Sequence, residues 1–336
     1  MKQLLKEAVR DLELDKLCVK ANDLKKKYRW ALRELRKKET EVESILELKQ
    51  ATQSFEILPR KKTGGEATAV LVASDWHIDE VVKPQQVSGL NHFNPQIAKR
   101  RAEYFFRNGL KLIKMFGRDV EINTIILPLL GDFISGEIHE ELMEGNSMLP
   151  MEAILYAKEL LMSGIEFLLS HSDYKIIIPC VTGNHSRITA RLRHATEKGN
   201  SLEFFMYHTM AQQLKDKRVK FVIPEGYHCY VGVYDYILRL HHGHAIRYAG
   251  GVGGVYIPVN KAIAQWNKAK SANLDVFGHF HQFKDGGNFN SNGSLIGYNA
   301  FALSIKADYE EPKQTLFLID KKRGKTLVCP VILKKA

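Results

Sequence analysis

Short apolar runs of strand length recur between residues 69 and 277, and five of the six end in side chains that can bind a metal ion. The runs are 69–74, 124–130, 175–181, 219–223, 236–240 and 274–277. Apolar runs of this length, bounded by glycine and polar residues, are typical of buried strands. The recurrence constrains the fold more than any other feature of the sequence, because strands of this kind need cover on both faces.

Helical patterns separate these predicted strands. One follows Asn94-Pro95, a capping residue followed by proline in the first turn, and extends to about residue 115. Two others cover roughly 151–169 and 202–214, whereas the tail over 294–333 is rich in strand and poor in helix. Alternation of strand and helix followed by a strand-rich tail predicts an α/β protein with a layered sandwich rather than a simple doubly wound sheet.

Clusters of histidine, aspartate and asparagine follow five of the predicted strands. They are Ser74-Asp75-Trp76-His77, Gly131-Asp132, Gly183-Asn184-His185, His241-His242-Gly243-His244 and Gly278-His279-Phe280-His281. Any one cluster is common in proteins, where a histidine in the core is the ordinary explanation. Five clusters at strand ends indicate ligands gathered at the carboxyl edge of a sheet, where α/β proteins build their sites.

The ordered set D-x-H, G-D, G-N-H, H-G-H and G-H-x-H, which spans roughly residues 68–300, resembles the calcineurin-like metallophosphoesterase superfamily. Within it, the sequence is similar to the DNA-repair-exonuclease branch and to phage phosphoesterases. The resemblance implies a four-layer αββα sandwich. It also implies a two-metal centre that hydrolyses phosphomonoesters or phosphodiesters.

The resemblance assigns a set of ligands to each of two metal ions. The first set is Asp75, His77, Asp132 and His281. The second set is Asp132, Asn184, His242 and His279, so that Asp132 bridges the two ions. His185 matches the histidine of the family that protonates the leaving oxygen or contacts the scissile phosphate.

Some assignments stay open at this stage. His242 is preferred as the ligand because it directly precedes Gly243, with His244 as the second choice and His241 as a strand residue. Many members of the family carry an acid after G-N-H, where this sequence has Ser186. Asp79 and Glu80 are candidates to replace that acid beside the ligands.

Carboxylate, imidazole and amide-oxygen ligands suit divalent Mn, Fe, Zn or Ni better than calcium. We therefore expect two divalent ions as cofactors, with manganese as the first choice and Fe, Zn or Ni as alternatives. Arg187, Arg191 and Arg193 follow His185 and offer donors to phosphate, unless they are ordinary surface arginines of a helix. Trp76 could stack on a base, or simply pack beside the metals.

Residues 248–256 contain four glycines and are interpreted either as a mobile wall of the substrate cleft or as a plain loop.

Residues 1–62 differ from the rest of the chain. They contain no glycine, their apolar residues recur at helical spacing, and they carry 17 lysines and arginines against 11 acids. This segment thus holds more than half of the chain's net charge of +11. We predict a basic helical extension of one or two amphipathic helices, with a coiled coil as one arrangement, then a linker at 63–67 and the metallophosphoesterase domain over 68–336.

The leading functional prediction is a metal-dependent phosphoesterase that cleaves phosphodiester bonds in nucleic acid. The alternatives are a small-molecule phosphodiesterase or phosphatase acting on nucleotides or phosphoproteins, and an inactive scaffold of the same fold. Predicted partners are nucleic acid, and a second copy or another protein bound through residues 1–62. The sequence shows neither a membrane-length apolar run nor the apolar core of a signal peptide, and its four cysteines are dispersed, so a cytoplasmic location is expected.

Overall fold

The structure, a computed structural model, describes residues 1–51, 65–248 and 254–334. The chain divides into two compact units, Met1–Lys61 and Lys62–Ala336. Over its described residues, 1–51, the first unit contains a single helix, α1 (Lys2–Ala51), where one or two helices were predicted. Because Lys2–Ala51 contains neither glycine nor proline, no residue interrupts α1, whose 50 residues extend over about 75 Å.

The second unit contains two sheets and six helices among its described residues. Its strands are β1 (Gly65–Leu71), β2 (Val120–Ile126), β3 (Lys175–Pro179), β4 (Val219–Val222), β5 (Cys229–Val233), β6 (Tyr236–Leu240), β7 (Leu274–Phe277), β8 (Lys284–Asp285), β9 (Phe289–Ser291), β10 (Lys313–Asp320) and β11 (Gly324–Ile332). Its α-helices are α2 (Pro95–Phe116), α3 (Glu140–Gly145), α4 (Pro150–Ser170), α5 (Leu202–Gln213), α6 (Tyr256–Trp266) and α7 (Ala300–Ser304). No described helix is both long and apolar enough to cross a membrane.

The larger sheet has the order β11-β10-β1-β2-β3-β4, and the smaller has the order β5-β6-β7-β9-β8. Strands β1 to β4 are mutually parallel, and so are β6, β7 and β9. Parallel strands end at the same edge of a sheet. The segments that follow β1, β2 and β3 therefore lie side by side, as do those that follow β6 and β7.

Alternating side chains of β1 separate the layers. Ala69 and Leu71 pack in a core with helices α2, α4 and α5, whereas Val70 and Val72 pack against β5, β6 and β7 of the second sheet. A third cluster joins α6 to the outer face of the second sheet. The layers run helix, sheet, sheet, helix, so the predicted αββα sandwich is confirmed.

Several predicted boundaries need correction. Strands β6 and β7 match the predicted runs, but β1 and β2 each begin four residues earlier than predicted. Gly65 and Ala67, which we assigned to the linker, belong to β1 because they pair with Val120 and Asp320 of its neighbours. Strand β5 and helix α6 were not predicted.

Candidate metal centre

The five polar clusters follow β1, β2 and β3 of one sheet and β6 and β7 of the other, and the structure brings them together. Among the described residues, three overlapping groups have donor atoms within 4.8 Å of one another. The groups are Asp75, His77 and His281; His77, Asp132 and His185; and Asp132, His242 and His279. Asp132 and His77 each belong to two of the three groups, so the groups form one continuous cluster.

The first half of the site joins Asp75, His77 and His281. The Nε2 atoms of His77 and His281 are 3.2 Å apart, and His281 Nε2 is 3.5 Å from Asp75 Oδ1. Burial holds the pKa of His77 well below its ordinary value and lowers the pKa of His281 to about 3. Both imidazoles are therefore neutral, the state in which histidine binds a metal ion.

The second half joins Asp132, His242, His279 and Asn184. His242 Nδ1 donates to the Leu130 carbonyl at 2.7 Å, which directs Nε2 toward Asp132 Oδ2 at 2.8 Å. Although burial opposes it, the Asp132 carboxylate raises the pKa of His242 to about 10. Asn184 Oδ1 is buried without a hydrogen-bond partner. A divalent cation would satisfy both this amide oxygen and the Asp132 charge, so the donor set fits the expected metal.

The backbone at the ligands is strained. Asp75, His77, Asp132, His279 and His281 all have a positive φ, between 46° and 68°. Residues other than glycine seldom adopt this left-handed region, which costs on the order of 1–3 kcal/mol per residue. Five of the eight described residues other than glycine with a positive φ are thus predicted ligands, as expected for residues whose geometry serves a site rather than stability.

Two of the glycines in the clusters give the carboxylates room. A Cβ atom on Gly183 would lie 2.0 Å from Asp132 Oδ1, and one on Gly278 would lie 2.2 Å from Asp75 Oδ2. No side chain can be placed at such distances. The glycine that opens G-N-H therefore leaves space for the Asp132 carboxylate, and the glycine that opens G-H-x-H leaves space for the Asp75 carboxylate.

Backbone amides hold these carboxylates in place. His279 N donates to Asp75 Oδ1 at 2.8 Å, and His185 N donates to Asp132 Oδ1 at 2.9 Å. Ser74 Oγ donates to Asp75 Oδ2. Burial raises the pKa of Asp75 to about 7. Burial acts in the same direction on Asp132, but the neighbouring His242 and His185 hold its pKa well below the usual range.

Asp79 and Glu80 lie beside the first half of the site, not beside Ser186. Asp79 accepts from the backbone amides of Ser135 and Gly136 at 2.6 and 3.1 Å. Ser135 Oγ donates to Glu80 Oε2 at 3.2 Å and is 2.9 Å from His77 Nδ1. A hydroxyl thus connects Glu80 to a predicted ligand. The structure pairs Ser186 with another serine, Ser201, at 2.9 Å.

Sequence reasoning missed Glu203 of α5. This fully buried carboxyl accepts from the backbone amides of Phe133 and Gly183, each at 2.8 Å. It thereby ties the segment after β2 to the segment after β3. Burial, reinforced by Asp132, raises its pKa to about 7. A glutamate in the first turn of a predicted helix is ordinary, so no sequence signal distinguished it.

The geometry favours His242 over its neighbours as the ligand. His241 stacks on Phe277, with ring centroids 5.1 Å apart, and its Nε2 lies 3.4 Å from Asp275. His244 Nε2 is 3.7 Å from a different carboxylate, that of Glu197. The hydroxyl of Tyr227, also missed, accepts from Gly243 N and Ala245 N and so fixes the loop that carries these histidines.

His185 lies where two clefts meet. Its Nδ1 contacts the Ser135 carbonyl at 2.9 Å, its Nε2 is 4.0 Å from Asp132 Oδ2, and its side chain is 20% exposed. One cleft, of 460 Å³, is lined by His77, Asp132 and Asn184 among others. The second, of 440 Å³, is lined by Ile138, Arg187 and Ile188, and the two clefts share His139 and His185.

The residues predicted to contact substrate differ in their exposure and in the contacts that they make. Trp76 cannot stack on a base, because it is completely buried and packs edge-on against Phe105 and Phe133. Arg187 Nη1 donates to the Asn184 carbonyl at 2.6 Å and so braces the ligand loop. Arg191 and Arg193 are exposed on a loop, not on a helix. In the glycine-rich segment, residues 249–253 lie outside the described residues.

The αββα sandwich, with the five motifs in order at its strand ends, is the architecture that the resemblance seen in the sequence implied. The fold and site thus define an αββα sandwich with clusters of aspartate and histidine able to bind metal ions. No family model matches the chain, and no curated protein matches it.

Several solved structures are similar to this chain. A predicted phosphoesterase from Streptococcus pneumoniae is 11% identical, with a TM-score of 0.31 over 79% of this chain and 97% of its own. Vps29 from Entamoeba histolytica is 12% identical, with a TM-score of 0.31 over 78% of this chain and 98% of its own. A hypothetical protein from Pyrococcus horikoshii is 12% identical, with a TM-score of 0.40 over 80% of this chain and 89% of its own. Similarities of this size carry no functional argument.

Proposed function

We propose that the protein hydrolyses phosphodiester bonds at the site formed by Asp75, His77, Asp132, Asn184, His242, His279 and His281. The observation that carries the proposal is the convergence of these donors, from five strand ends, beside a cleft that also exposes His185. The two clefts that meet at His185 support a diester, because a diester carries one organic group on each side of its phosphorus atom.

Two divalent ions bound there would supply positive charge to the phosphoryl oxygens and lower the pKa of an attacking water. Asp75, His77, Asp132 and His281 would hold one ion, and Asp132, Asn184, His242 and His279 the other. His185 holds a proton for the leaving oxygen. The Ser135 carbonyl orients its Nδ1, and its Nε2 lies 4.0 Å from Asp132 Oδ2, beside the proposed metal ions.

We further propose nucleic acid as the substrate, supported by the charge of α1. Between residues 25 and 38, eight basic side chains accompany a single acid, and all of them are exposed. Such a cluster binds the phosphate backbone without reading its sequence. In this proposal α1 holds the polymer, and the metal centre cleaves it.

A small-molecule phosphodiester is the second candidate, favoured by a different observation. The cleft is lined by Glu80 and Glu141, and the exposed residues Glu137, Glu140 and Glu144 adjoin it along the chain. Acids at the rim repel a polyanion but tolerate a small ester with one charge. The 460 Å³ volume is also in the usual range for a small-molecule site.

One experiment separates these functions. Chelator-treated protein is reloaded with Mn, Fe, Zn or Ni and assayed on bis(p-nitrophenyl) phosphate, p-nitrophenyl phosphate, DNA and RNA, alongside Asp132→Asn. The control variant is His92→Asn, since His92 is an exposed histidine outside the motifs. We expect diester turnover, highest with Mn, that Asp132→Asn abolishes.

The pattern of activity decides between the candidates. Cleavage of DNA or RNA supports the nuclease, and turnover of the small diester alone supports the second candidate. Turnover of the monoester alone would indicate a phosphatase. Stoichiometric metal binding without turnover of any substrate would contradict hydrolysis and leave an inactive scaffold.

A further inference from the structure

Helix α1 exposes apolar side chains that a single helix in water cannot cover. Leu14, Leu17, Leu24, Tyr28 and Leu35 are between 51% and 72% exposed. A helix of this kind gains little from its own sequence, and its stability depends on packing of an apolar face. Because α1 continues without a turn from Lys2 to Ala51, one half of it cannot fold back on the other.

These side chains form a seam with alternating spacings of three and four residues. The seam is Leu14, Leu17, Ala21, Leu24, Tyr28, Ala31, Leu35, Lys38 and Val42. This is the spacing of the a and d positions of a left-handed coiled coil, and Lys38 is the one polar member. A second helix of similar length is therefore needed to cover the seam from water.

We propose that two copies of this chain associate through α1 as an antiparallel coiled coil centred between Tyr28 and Ala31. In this register Tyr28 faces Ala31 of the partner, and Leu24 faces Leu35. Leu17 faces Val42 in the same way. The largest residue, Tyr28, thus meets a small one, and the leucines meet aliphatic side chains, as close packing of facing layers requires.

Lys38 argues for the antiparallel direction. In a parallel pair in register, the two copies of Lys38 would lie opposite each other in the seam, at a like-charge cost. In the antiparallel register, Lys38 faces Ala21, whose small side chain lets the lysine stem cover apolar surface while its ammonium reaches water.

The flanking charges point in the same direction. Lys20, Lys27, Glu34 and Glu41 precede the a positions of the seam. Antiparallel pairing places Lys20 beside Glu41 and Lys27 beside Glu34, and the symmetry of the dimer repeats both pairs. Parallel pairing would instead place Lys20 beside Lys25 and Glu34 beside Glu39, both repulsive.

The ion pairs that these residues make within one helix do not oppose the dimer. Lys27 lies 2.9 Å from Asp23, and Lys38 lies 2.7 Å from Glu41. Their side chains are between 46% and 75% exposed. Such exposed pairs contribute little stability, so changing partners costs little.

The first test is the mass of the full-length protein in solution, measured by sedimentation equilibrium. We expect wild type to have twice the 38.3 kDa of one chain. Leu24→Glu should raise the dissociation constant of the dimer by roughly 100-fold or more, because it buries unpaired charges in the seam. Val19→Glu is the matched control, since Val19 is 69% exposed and lies off the seam.

Charge variants test the direction without removing apolar contacts. In the antiparallel dimer Glu34→Lys weakens association, and the double variant Lys27→Glu/Glu34→Lys restores it. In a parallel dimer Glu34→Lys alone would strengthen association by attracting Glu39. Circular dichroism of each variant shows whether α1 remains helical.

A distance measurement on the native thiol of Cys18 completes the test. Cys18 is exposed, Cys180 and Cys229 are buried, and Cys329→Ser removes the remaining partly exposed thiol. Spin labels on Cys18 of the two copies should be about 35 Å apart in the antiparallel dimer and roughly 10–15 Å apart in a parallel one. A monomeric wild type, or the short distance, would overturn the proposal.

Discussion

At the scale of single residues, the candidate site contains backbone conformations and buried charges that lower the stability of the fold. Five of its seven proposed ligands have left-handed backbones, and Asp75 and Asp132 are buried with φ values of 56° and 54°. Each of these features lowers the free energy of unfolding, and hydrogen bonds from neighbouring backbone amides partly offset that loss. Substitutions here should separate metal affinity from folding.

Gly183→Ala is the sharpest such substitution. The new methyl would lie 2.0 Å from Asp132 Oδ1, so the Asp132 carboxylate must move. We expect Mn affinity, measured by isothermal titration calorimetry, to fall at least about tenfold. Gly226→Ala is the control, because nothing lies within 4 Å of a Cβ there. Equal affinity for the two variants would show that Asp132 is not a ligand.

The loss of activity on removing His185 should be larger for a poor leaving group than for a good one. A proton donor helps an alkoxide to leave but does little for p-nitrophenolate, which leaves unprotonated. We expect His185→Gln to lower kcat by about 10²–10⁴ on a dinucleotide or other alkyl diester, and far less on bis(p-nitrophenyl) phosphate. Equal losses on both substrates would assign His185 to phosphate binding instead.

The raised pKa of the buried Glu80 carboxyl should make the stability of the protein depend on pH. Burial raises its pKa to about 7 from an ordinary 4.5, so the fold retains a proton that the unfolded chain releases. Stability should therefore fall as pH rises from about 4.5 to 7, and stay level above that.

Glu80→Gln removes this penalty while keeping the shape of the side chain. By urea denaturation in chelator, the variant should be equal to wild type near pH 4.5 and about 3 kcal/mol more stable at pH 8. No gain at pH 8 would mean that the Glu80 charge is compensated in the fold.

At the scale of elements, sequence reasoning succeeded where a strand is short and bounded by polar residues. Strands β6 and β7 matched because Asp235 and Asn273 precede them and His241 and Gly278 follow them. Sequence reasoning failed at β5 (Cys229–Val233), because Gly232 interrupts the apolar run and two polar residues, Tyr227 and His228, come before it. It failed at α6 because the glycine-rich pattern before Tyr256 suggested a loop that continues.

Strands β6 and β7, which deliver His242 and His279, are joined by a buried ion pair. Arg239 Nε and Nη2 donate to the two oxygens of Asp275 at 2.7 and 2.9 Å, and both side chains are almost fully buried. Although burial alone would raise the pKa of Asp275, its contacts with His241 and Arg239 lower it.

Asp275→Asn should destabilise the protein by about 3–5 kcal/mol, because it leaves the guanidinium buried without a counter-charge. The matched control is Glu66→Gln, which breaks the exposed pair with Lys321 and should cost below about 1 kcal/mol. Thermal denaturation measures both. Similar costs for the two variants would mean that solvent reaches Arg239.

At the scale of the whole molecule, the sequence predicted candidate ligands that the structure brings together, but it could not predict the residues that support them. Motif order identifies Asp75 or His279 because metal chemistry limits which residue types can serve there. Glu203 and Tyr227 act through backbone amides of distant loops, and any hydroxyl or carboxyl of suitable reach could do the same. Trp76 is the opposite case: it lies inside a motif, but its side chain belongs to the hydrophobic core.

The net charge of +11 is the remaining property of the whole molecule, and the proposed dimer gives it a testable consequence. Antiparallel pairing centred near Tyr28 brings the basic clusters of both copies side by side, so every substitution there removes two charges from one surface. Lys26 and Arg33 lie opposite the seam and remain exposed to solvent in the dimer.

Lys26→Gln/Arg33→Gln therefore removes four charges per dimer. The slope of log affinity for double-stranded DNA against log salt should become shallower by about three to four, against about two for a monomer. Fluorescence anisotropy over a salt series measures it. Lys215→Gln/Lys217→Gln, the control, removes two exposed lysines per chain from the second unit. Equal slopes for wild type and the α1 variant would show that α1 does not hold nucleic acid, and the small-diester function would then be favoured.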